Sequence, residues 1–136
     1  GIIPWSKVYY KTTVAVSQGA VRRGASAIYL PVRHGDIEEF INMRRPTGDV
    51  NRRCLNLNHA VCIDNAWMQE MLDGDGSKRK IWESILEARF TTGEPYIFFT
   101  ENVNNSNPAC YVANNLTVKT SNICSEIVLY AKVPGS

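Results

Sequence analysis

The 136-residue chain is predicted to be an α/β domain with largely parallel strands. Apolar residues recur alternately at helical and at strand spacing along it, and its hydrophobic content of 44% can fill one core. No internal repeat or low-complexity tract interrupts that alternation.

The elements follow in order. Pro4 suits a first helical turn, and Trp5, Val8, Tyr9, Thr12 and Val16 recur at helical spacing, so residues 4–16 are predicted as an amphipathic helix with that apolar stripe. The stretch Ser17-Gln18-Gly19-Ala20-Val21-Arg22-Arg23-Gly24 reads as a loop whose glycines permit unusual backbone angles. Residues 27–32 read as a short buried strand. Asp36 and Glu39 form a capping arrangement for a short helix over 36–44, with Ile37, Phe40 and Ile41 as its apolar stripe, stopped before Pro46. Leu55, Leu57, Val61 and Ile63 alternate with more polar neighbours, which predicts a strand with His59 on its apolar face.

Trp67, Met68, Met71 and Leu72 mark another short helix, ended by Gly74. A longer helix carries Ile81, Trp82, Ile85, Leu86 and Arg89 and stops near Gly93. Tyr96-Ile97-Phe98-Phe99 reads as a strand. Residues 101–115, with Asn102, Asn104, Asn105, Asn107, Asn114, Asn115 and Pro108, read as a long polar loop, followed by a last strand around 118–130. Gly1-Ile2-Ile3 enters the first helix almost without a leader, and Lys132-Val133-Pro134-Gly135-Ser136 is followed by no covering helix. The chain therefore reads as a piece of a larger sheet.

Composition narrows function. A formal charge of +2 is too weak to argue for nucleic acid as a partner. No stretch approaches the roughly 18 apolar residues of a membrane span, and the first residues lack signal-peptide grammar, so a cytoplasmic chain is expected. Cys54, Cys62, Cys110 and Cys124 fit neither zinc-ligand spacing nor a disulfide scaffold, which predicts reduced thiols.

Several motifs are weak. Asp73-Gly74-Asp75-Gly76-Ser77 opens like a calcium loop, but Lys78 and Ser84 stand where a glycine and an acid are required, so a turn between helices is expected. The loop from Gly19 to Gly24 follows a helix and precedes a strand, the reverse of phosphate-loop order. Asn104-Asn105-Ser106 and Asn115-Leu116-Thr117 match the glycosylation pattern only as polar loop.

Ser121-Asn122-Ile123-Cys124-Ser125-Glu126-Ile127 is the most informative stretch. On a strand, Asn122, Cys124 and Glu126 project from one face, so an amide, a thiol and a carboxylate would meet one small ligand. Two readings stand here: a solvent-facing edge strand with an exposed thiol, or a ligand site.

This heptad is similar to the finger-loop strand of ribonucleotide reductase large subunits. Ser17-Gln18-Gly19-Ala20-Val21-Arg22-Arg23-Gly24-Ala25 resembles that family's specificity loop. His34-Gly35-Asp36-Ile37-Glu38-Glu39-Phe40, Arg44-Arg45-Pro46-Thr47-Gly48-Asp49 and Thr92-Gly93-Glu94-Pro95-Tyr96-Ile97 match behind it in family order. The similarity runs from about residue 1 to residue 130.

The resemblance implies a fold that is part of a ten-stranded α/β barrel, with residues 1–136 a single segment of it. It implies Cys124 as holder of a transient thiyl radical that removes the ribose 3′ hydrogen, Glu126 as general base on the 3′ hydroxyl, and Asn122 as a hydrogen-bonding partner of the ribose hydroxyls. Those residue types suit the work: sulfur hosts a one-electron oxidised state, a carboxylate moves a proton, and an amide orients hydroxyls without titrating. Ser17, Gln18, Gly19, Arg22 and Arg23 would form the specificity loop, with Gln18 and Arg22 reaching toward the substrate base and relaying the identity of an effector nucleotide. Arg23 and Ala20 stand where some relatives have glycine.

The family's pair of reducing cysteines, most of its effector site, its diphosphate loop and its carboxy-terminal relay tail would all lie outside this chain. Turnover by this chain alone is not expected. No cofactor is expected in the chain itself. A dimetal small subunit or adenosylcobalamin would supply the radical, with nucleotides, a thioredoxin-type reductant and the rest of the large subunit as partners. A non-catalytic nucleotide-binding or interaction module derived from the barrel is the alternative. Cys54, Cys62 and Cys110 are expected to be small buried thiols, and His59 a satisfied core or site-wall histidine.

Overall fold

A computed structural model describes residues 1–19 and 21–132; Ala20 of the glycine-bounded loop and the last four residues of the carboxy-terminal stretch lie outside the described residues. The elements are α1 (Ile2–Ala15), β1 (Ala27–Pro31), α2 (Ile37–Ile41), a 3₁₀ turn (Val50–Arg52), β2 (Asn58–Ile63), α3 (Asn65–Leu72), α4 (Gly76–Thr92), β3 (Tyr96–Phe99), α5 (Thr100–Asn105) and α6 (Ala109–Ala113).

The three strands form one parallel sheet in the order β1-β2-β3. Ala27 stands opposite Asn58 and Pro31 opposite Cys62, and Ala60 then faces Tyr96 and Ile63 faces Phe99. Crossovers between neighbouring parallel strands share one hand, so a sheet that grows in one direction receives all its crossover helices on one face. That face carries His59 and also Ile28, Leu30, Val61, Ile63, Ile97 and Phe99, which pack with Ile3, Phe40, Ile41, Trp67, Met71, Ile85 and Ala88 in a single core cluster. The opposite face presents Tyr29, Ala60, Tyr96, Pro31, Cys62 and Phe98.

Helix boundaries follow from local chemistry. Asp64 Oδ1 accepts the Trp67 N–H at 2.7 Å, and Asp75 Oδ1 accepts from the N–H groups of Ser77 and Lys78 at 2.9 and 3.2 Å. Each satisfies donors that a helix start leaves free. At the far end of α4, Gly93 adopts φ 81°, a left-handed conformation that closes the helix onto Arg89. Asp73-Gly74-Asp75 is the turn expected between α3 and α4.

Asp64 also receives two hydrogen bonds from the Arg33 guanidinium, at 3.0 Å each. Those bonds, with help from the Trp67 amide and against the cost of partial burial, hold the Asp64 carboxyl below its ordinary range. Because its folded value is depressed, Asp64 contributes stability that is complete above the ordinary carboxylate range and is lost as pH falls through the folded value. Replacing Asp64 with alanine is expected to cost about 1 kcal/mol through loss of the cap. In urea unfolding at neutral pH and again near pH 2, the variant's deficit should shrink at the lower pH; an equal deficit at both would remove the electrostatic part of this account.

Several features differ from the sequence reading. The stripe Trp5, Val8, Tyr9 and Val16 faces outward, with Trp5 65% exposed, while Ile3 and Ser6 face the core. Helix α1 is apolar on more than one side, so spacing alone does not choose the buried face. Asp36 does not cap α2 with its side chain; its Oδ2 accepts the Ile2 N–H at 2.9 Å and ties the two helices together instead. Residues 101–115 contain two short helices rather than one open loop. Residues 118–130 contain no strand; they run back across the sheet and turn at 122–125.

Candidate functional site

The expected strand face bearing Asn122, Cys124 and Glu126 is replaced by a turn. The Ser125 N–H donates to the Asn122 carbonyl at 3.1 Å, with Ile123 and Cys124 between them, and Ser125 takes φ 65°. The Asn122 N–H closes the structure onto the Ile127 carbonyl at 3.3 Å. A turn followed by a left-handed residue is the geometry of a three-residue hairpin loop, which puts Cys124 at its tip. The Asn122 side chain explains why no ladder forms: its Oδ1 accepts the N–H groups of Glu126 and Ile127 at 3.1 and 3.0 Å and the Ser121 hydroxyl at 3.1 Å. Its amide oxygen is thereby committed to the turn, and its Nδ2 has no protein partner among the described residues.

This turn lies against the face of the sheet that the helices leave free. The Tyr29 hydroxyl donates to the Asn122 carbonyl at 2.9 Å and lies 2.7 Å from Ser125 Oγ. Tyr96, on the same face, is raised above the ordinary phenol range, first by burial and then by the neighbouring Glu94 carboxylate and Cys124 thiol. Cys124 and Glu126 are exposed and Asn122 is half-buried. The approach to the turn is fixed by Asn104 on α5, whose Oδ1 accepts the Val118 N–H at 2.8 Å and whose Nδ2 donates to the Val118 carbonyl at 2.9 Å. A recess of about 620 Å³ lies beside it, lined by Tyr29, Pro31 and Cys62 from the sheet and by Glu101 and Lys119 among others.

Tyr29 and Asn104 were not singled out from the sequence. A tyrosine at a half-buried strand position carries a hydroxyl that needs a partner, and that was the signal available for Tyr29. Asn104 was hidden among its neighbouring asparagines.

The predicted loop residues form a separate group before β1. Gln18 and Arg22 pair through their backbones, with N···O distances of 3.0 and 3.4 Å, and Gly19 takes φ 61°. Ser17 Oγ accepts the Gly24 N–H at 2.8 Å and donates to the Thr13 carbonyl at 2.9 Å. A Cβ on Gly24 would stand 2.9 Å from that same carbonyl oxygen, so glycine is required for the loop to close against α1. Arg22 and Arg23 are exposed, and a recess of about 480 Å³ opens beside Arg23, Ser17, Tyr10 and Asn56. Among the described residues, no hydrogen bond or ion pair joins residues 17–24 to residues 121–127.

All four cysteines are free thiols. Cys54 is buried as expected and Cys62 partly so, but Cys110 is exposed on α6. Burial pushes Cys62 up to about 11, which leaves roughly one thiol in a thousand ionised at pH 8. Alkylation at pH 8 followed by peptide mass spectrometry should therefore modify Cys110 and Cys124 well before Cys54 and Cys62. Early modification of Cys62 would contradict the burial described here.

His59 is fully buried, as a core histidine with partners. Its Nδ1 and its backbone N–H each lie 3.0 Å from Glu94 Oε2, and its ring meets Phe40 edge-on at 5.0 Å. Glu94 Oε1 pairs with Arg44 Nη1 at 3.3 Å.

The described residues thus form a parallel sheet with helices on one face and a thiol-tipped turn on the other. Comparison with known proteins gives the family. The model of the ribonucleotide reductase barrel domain matches residues 1–78 and 76–134. A putative ribonucleoside-diphosphate reductase large subunit of Frog virus 3 is 40% identical over 144 residues, covering 95% of this chain and 26% of that protein. The ribonucleoside-diphosphate reductase large subunit of Caenorhabditis elegans is 31% identical over 169 residues, covering 96% of this chain and 21% of its own length. Among solved structures, the Actinobacillus ureae class Id ribonucleotide reductase alpha subunit matches with a TM-score of 0.74 at 34% identity, over 83% of this chain and 21% of that one. The chain belongs to the ribonucleotide reductase large-subunit family, and its fold is a portion of that family's barrel. It spans about a quarter or less of the length of these relatives.

The two matched stretches meet at the start of α4. The alignment with the nematode protein is longer than the 136 residues of this chain, so that relative carries residues opposite gaps here.

Proposed function

We propose that this chain serves as the portion of a ribonucleoside-diphosphate reductase large subunit that carries the radical thiol. The observation that supports this most is the position of Cys124, exposed at the tip of a turn held against the bare face of a parallel sheet, in a chain of this family. On this reading the Cys124 sulfur, as a thiyl radical, takes the ribose 3′ hydrogen atom and becomes a thiol, leaving the carbon radical. Glu126 accepts the 3′ hydroxyl proton. Asn122 orients the ribose through its Nδ2, since its Oδ1 already holds three donors of the turn. Ser17, Gln18, Gly19, Arg22 and Arg23 form the loop that reads the base and the effector nucleotide.

The oxidising equivalent comes from a small subunit with a dimetal centre or from adenosylcobalamin. Among the described residues, no three His, Cys, Asp or Glu side chains gather to hold a metal. The reducing cysteine pair and the diphosphate site come from the remainder of the large subunit. No described helix is long and apolar enough to cross a membrane. Family membership favours this reading over a non-catalytic nucleotide-binding module.

The test is to co-express the chain with polypeptides supplying the rest of the barrel and a radical-generating subunit, then to assay ribonucleoside diphosphate with a dithiol reductant. Deoxyribonucleotide formed only when this chain is present is the expected result. An assembled complex that binds nucleotide but yields no deoxyribonucleotide would overturn the proposal.

A further inference from the structure

The geometry points to Tyr29 as a positioning residue for Cys124, a role that rests on the reductase reading of the turn. The hydrogen bonds that shape residues 121–127 internally join residues no more than six apart. They fix the form of the turn and say nothing of where it sits. Among the described residues, the hydrogen bonds that join this segment to the rest of the chain are both made by the Tyr29 phenol.

The direction of each bond follows from its partner. A carbonyl only accepts, so the Tyr29 hydroxyl donates to Asn122 O, and the Ser125 hydroxyl must then donate to the Tyr29 oxygen. The two contacts flank Cys124 in sequence and hold the turn from both sides. The tyrosine itself is well fixed: its backbone lies opposite Ala60 in the β1–β2 ladder, and its ring meets Phe98 edge-on, with centroids 5.4 Å apart at 85°. A rigid sheet is thus coupled through one phenol to the turn that carries the reactive sulfur. Hydrogen-atom transfer depends steeply on placement, and an error of about 1 Å costs on the order of a hundredfold in rate.

Two variants test this, Tyr29→Phe, which keeps the ring and removes the hydroxyl, and Ser125→Ala, which removes one contact from the turn side. In the 136-residue chain, each should speed alkylation of Cys124 and hydrogen exchange at residues 125–127, by about threefold or more, with the α4 amides unchanged as the control for folding. Unchanged Cys124 alkylation and unchanged exchange in both variants would overturn the tether. If Tyr29→Phe also loosens α4, Ser125→Ala alone decides. In the assembled enzyme, each variant should lower kcat about tenfold to a hundredfold with KM within about twofold, because the substrate contacts remain; an undiminished kcat would overturn the positioning role. Should the unmodified chain support no reduction, the reductase reading fails by itself, while the alkylation and exchange data still judge the tether.

Discussion

If Cys124 carries the radical as proposed, Cys124→Ser is expected to abolish ribonucleotide reduction in the assembled enzyme while leaving the fold intact. The side chain is exposed and belongs to no core cluster, so exchanging sulfur for oxygen removes no packing. What it removes is the chemistry. A hydroxyl holds its hydrogen far more tightly than a thiol does, and an alkoxyl radical cannot be formed under conditions that oxidise a cysteine. The expected loss is at least about a thousandfold, equivalent to about 4 kcal/mol at the transition state. Steady-state assays with a dithiol reductant measure it, and circular dichroism checks that folding is unchanged. Activity retained within about tenfold would place the radical elsewhere and end the assignment of Cys124. Glu126→Gln makes a useful companion, since it keeps size and polarity but removes the carboxylate proposed to accept the 3′ proton.

The largest expected effect on stability comes from Glu94, which is 7% exposed. Its carboxylate faces Arg44 with one oxygen and the His59 amide and ring with the other. Arg44 also donates to the Leu57 carbonyl and to Asn58 Oδ1, at 3.2 Å each, so the group joins the start of β2 to the entry of β3. Glu94→Ala strands a partly buried guanidinium and leaves buried His59 donors without an acceptor. Breaking a buried pair from one side costs about 3–5 kcal/mol, a large part of the roughly 5–15 kcal/mol that holds a domain together. Glu94→Gln keeps an acceptor and gives up only the charge, so it should fall well short of the alanine variant. Urea unfolding of both variants distinguishes them. A loss below about 1 kcal/mol for Glu94→Ala would mean that water replaces the carboxylate and that the network is incidental.

The elements that were legible in the sequence are those whose period reports burial on one side. Val61 and Ile63 alternate with Ala60 and Cys62 because β2 packs helices on one face, and His59 falls in step with them. Ile37, Phe40 and Ile41 repeat at helical spacing because one stripe of α2 is buried. The last third of the chain was less legible. Val118, Thr120, Ile123, Ile127 and Val128 have the composition of a strand, but strand preference measures fit to a half-buried pleated surface, and no described strand pairs with this segment. The Asn122 side chain takes the N–H groups that a ladder would use.

The asparagines of 101–115 read as loop because such side chains compete for the backbone. Here that competition works within helices: Asn104 Nδ2 donates to the Thr100 carbonyl and Asn114 Nδ2 to the Cys110 carbonyl, each one helical turn back. At the candidate site, the heptad 121–127 stood out in the sequence, but its local form did not: a turn takes the place of the expected strand. Asn122, Cys124 and Glu126 lie on a turn whose long-range partner, Tyr29, is distant in sequence.

That sequence distance also orders events in time. The internal bonds of the turn close within six residues, whereas the phenol reaches across 93 residues to Asn122 and 96 to Ser125. Short loops close in about 10–100 ns, while long-range contacts wait on the slow pairing of parallel strands. The bonds inside the cysteine turn can therefore close before the two that seat it on the sheet. A folding intermediate with β1 still unpaired can already display Cys124 at the tip of its turn, open to oxidants and aimed at nothing.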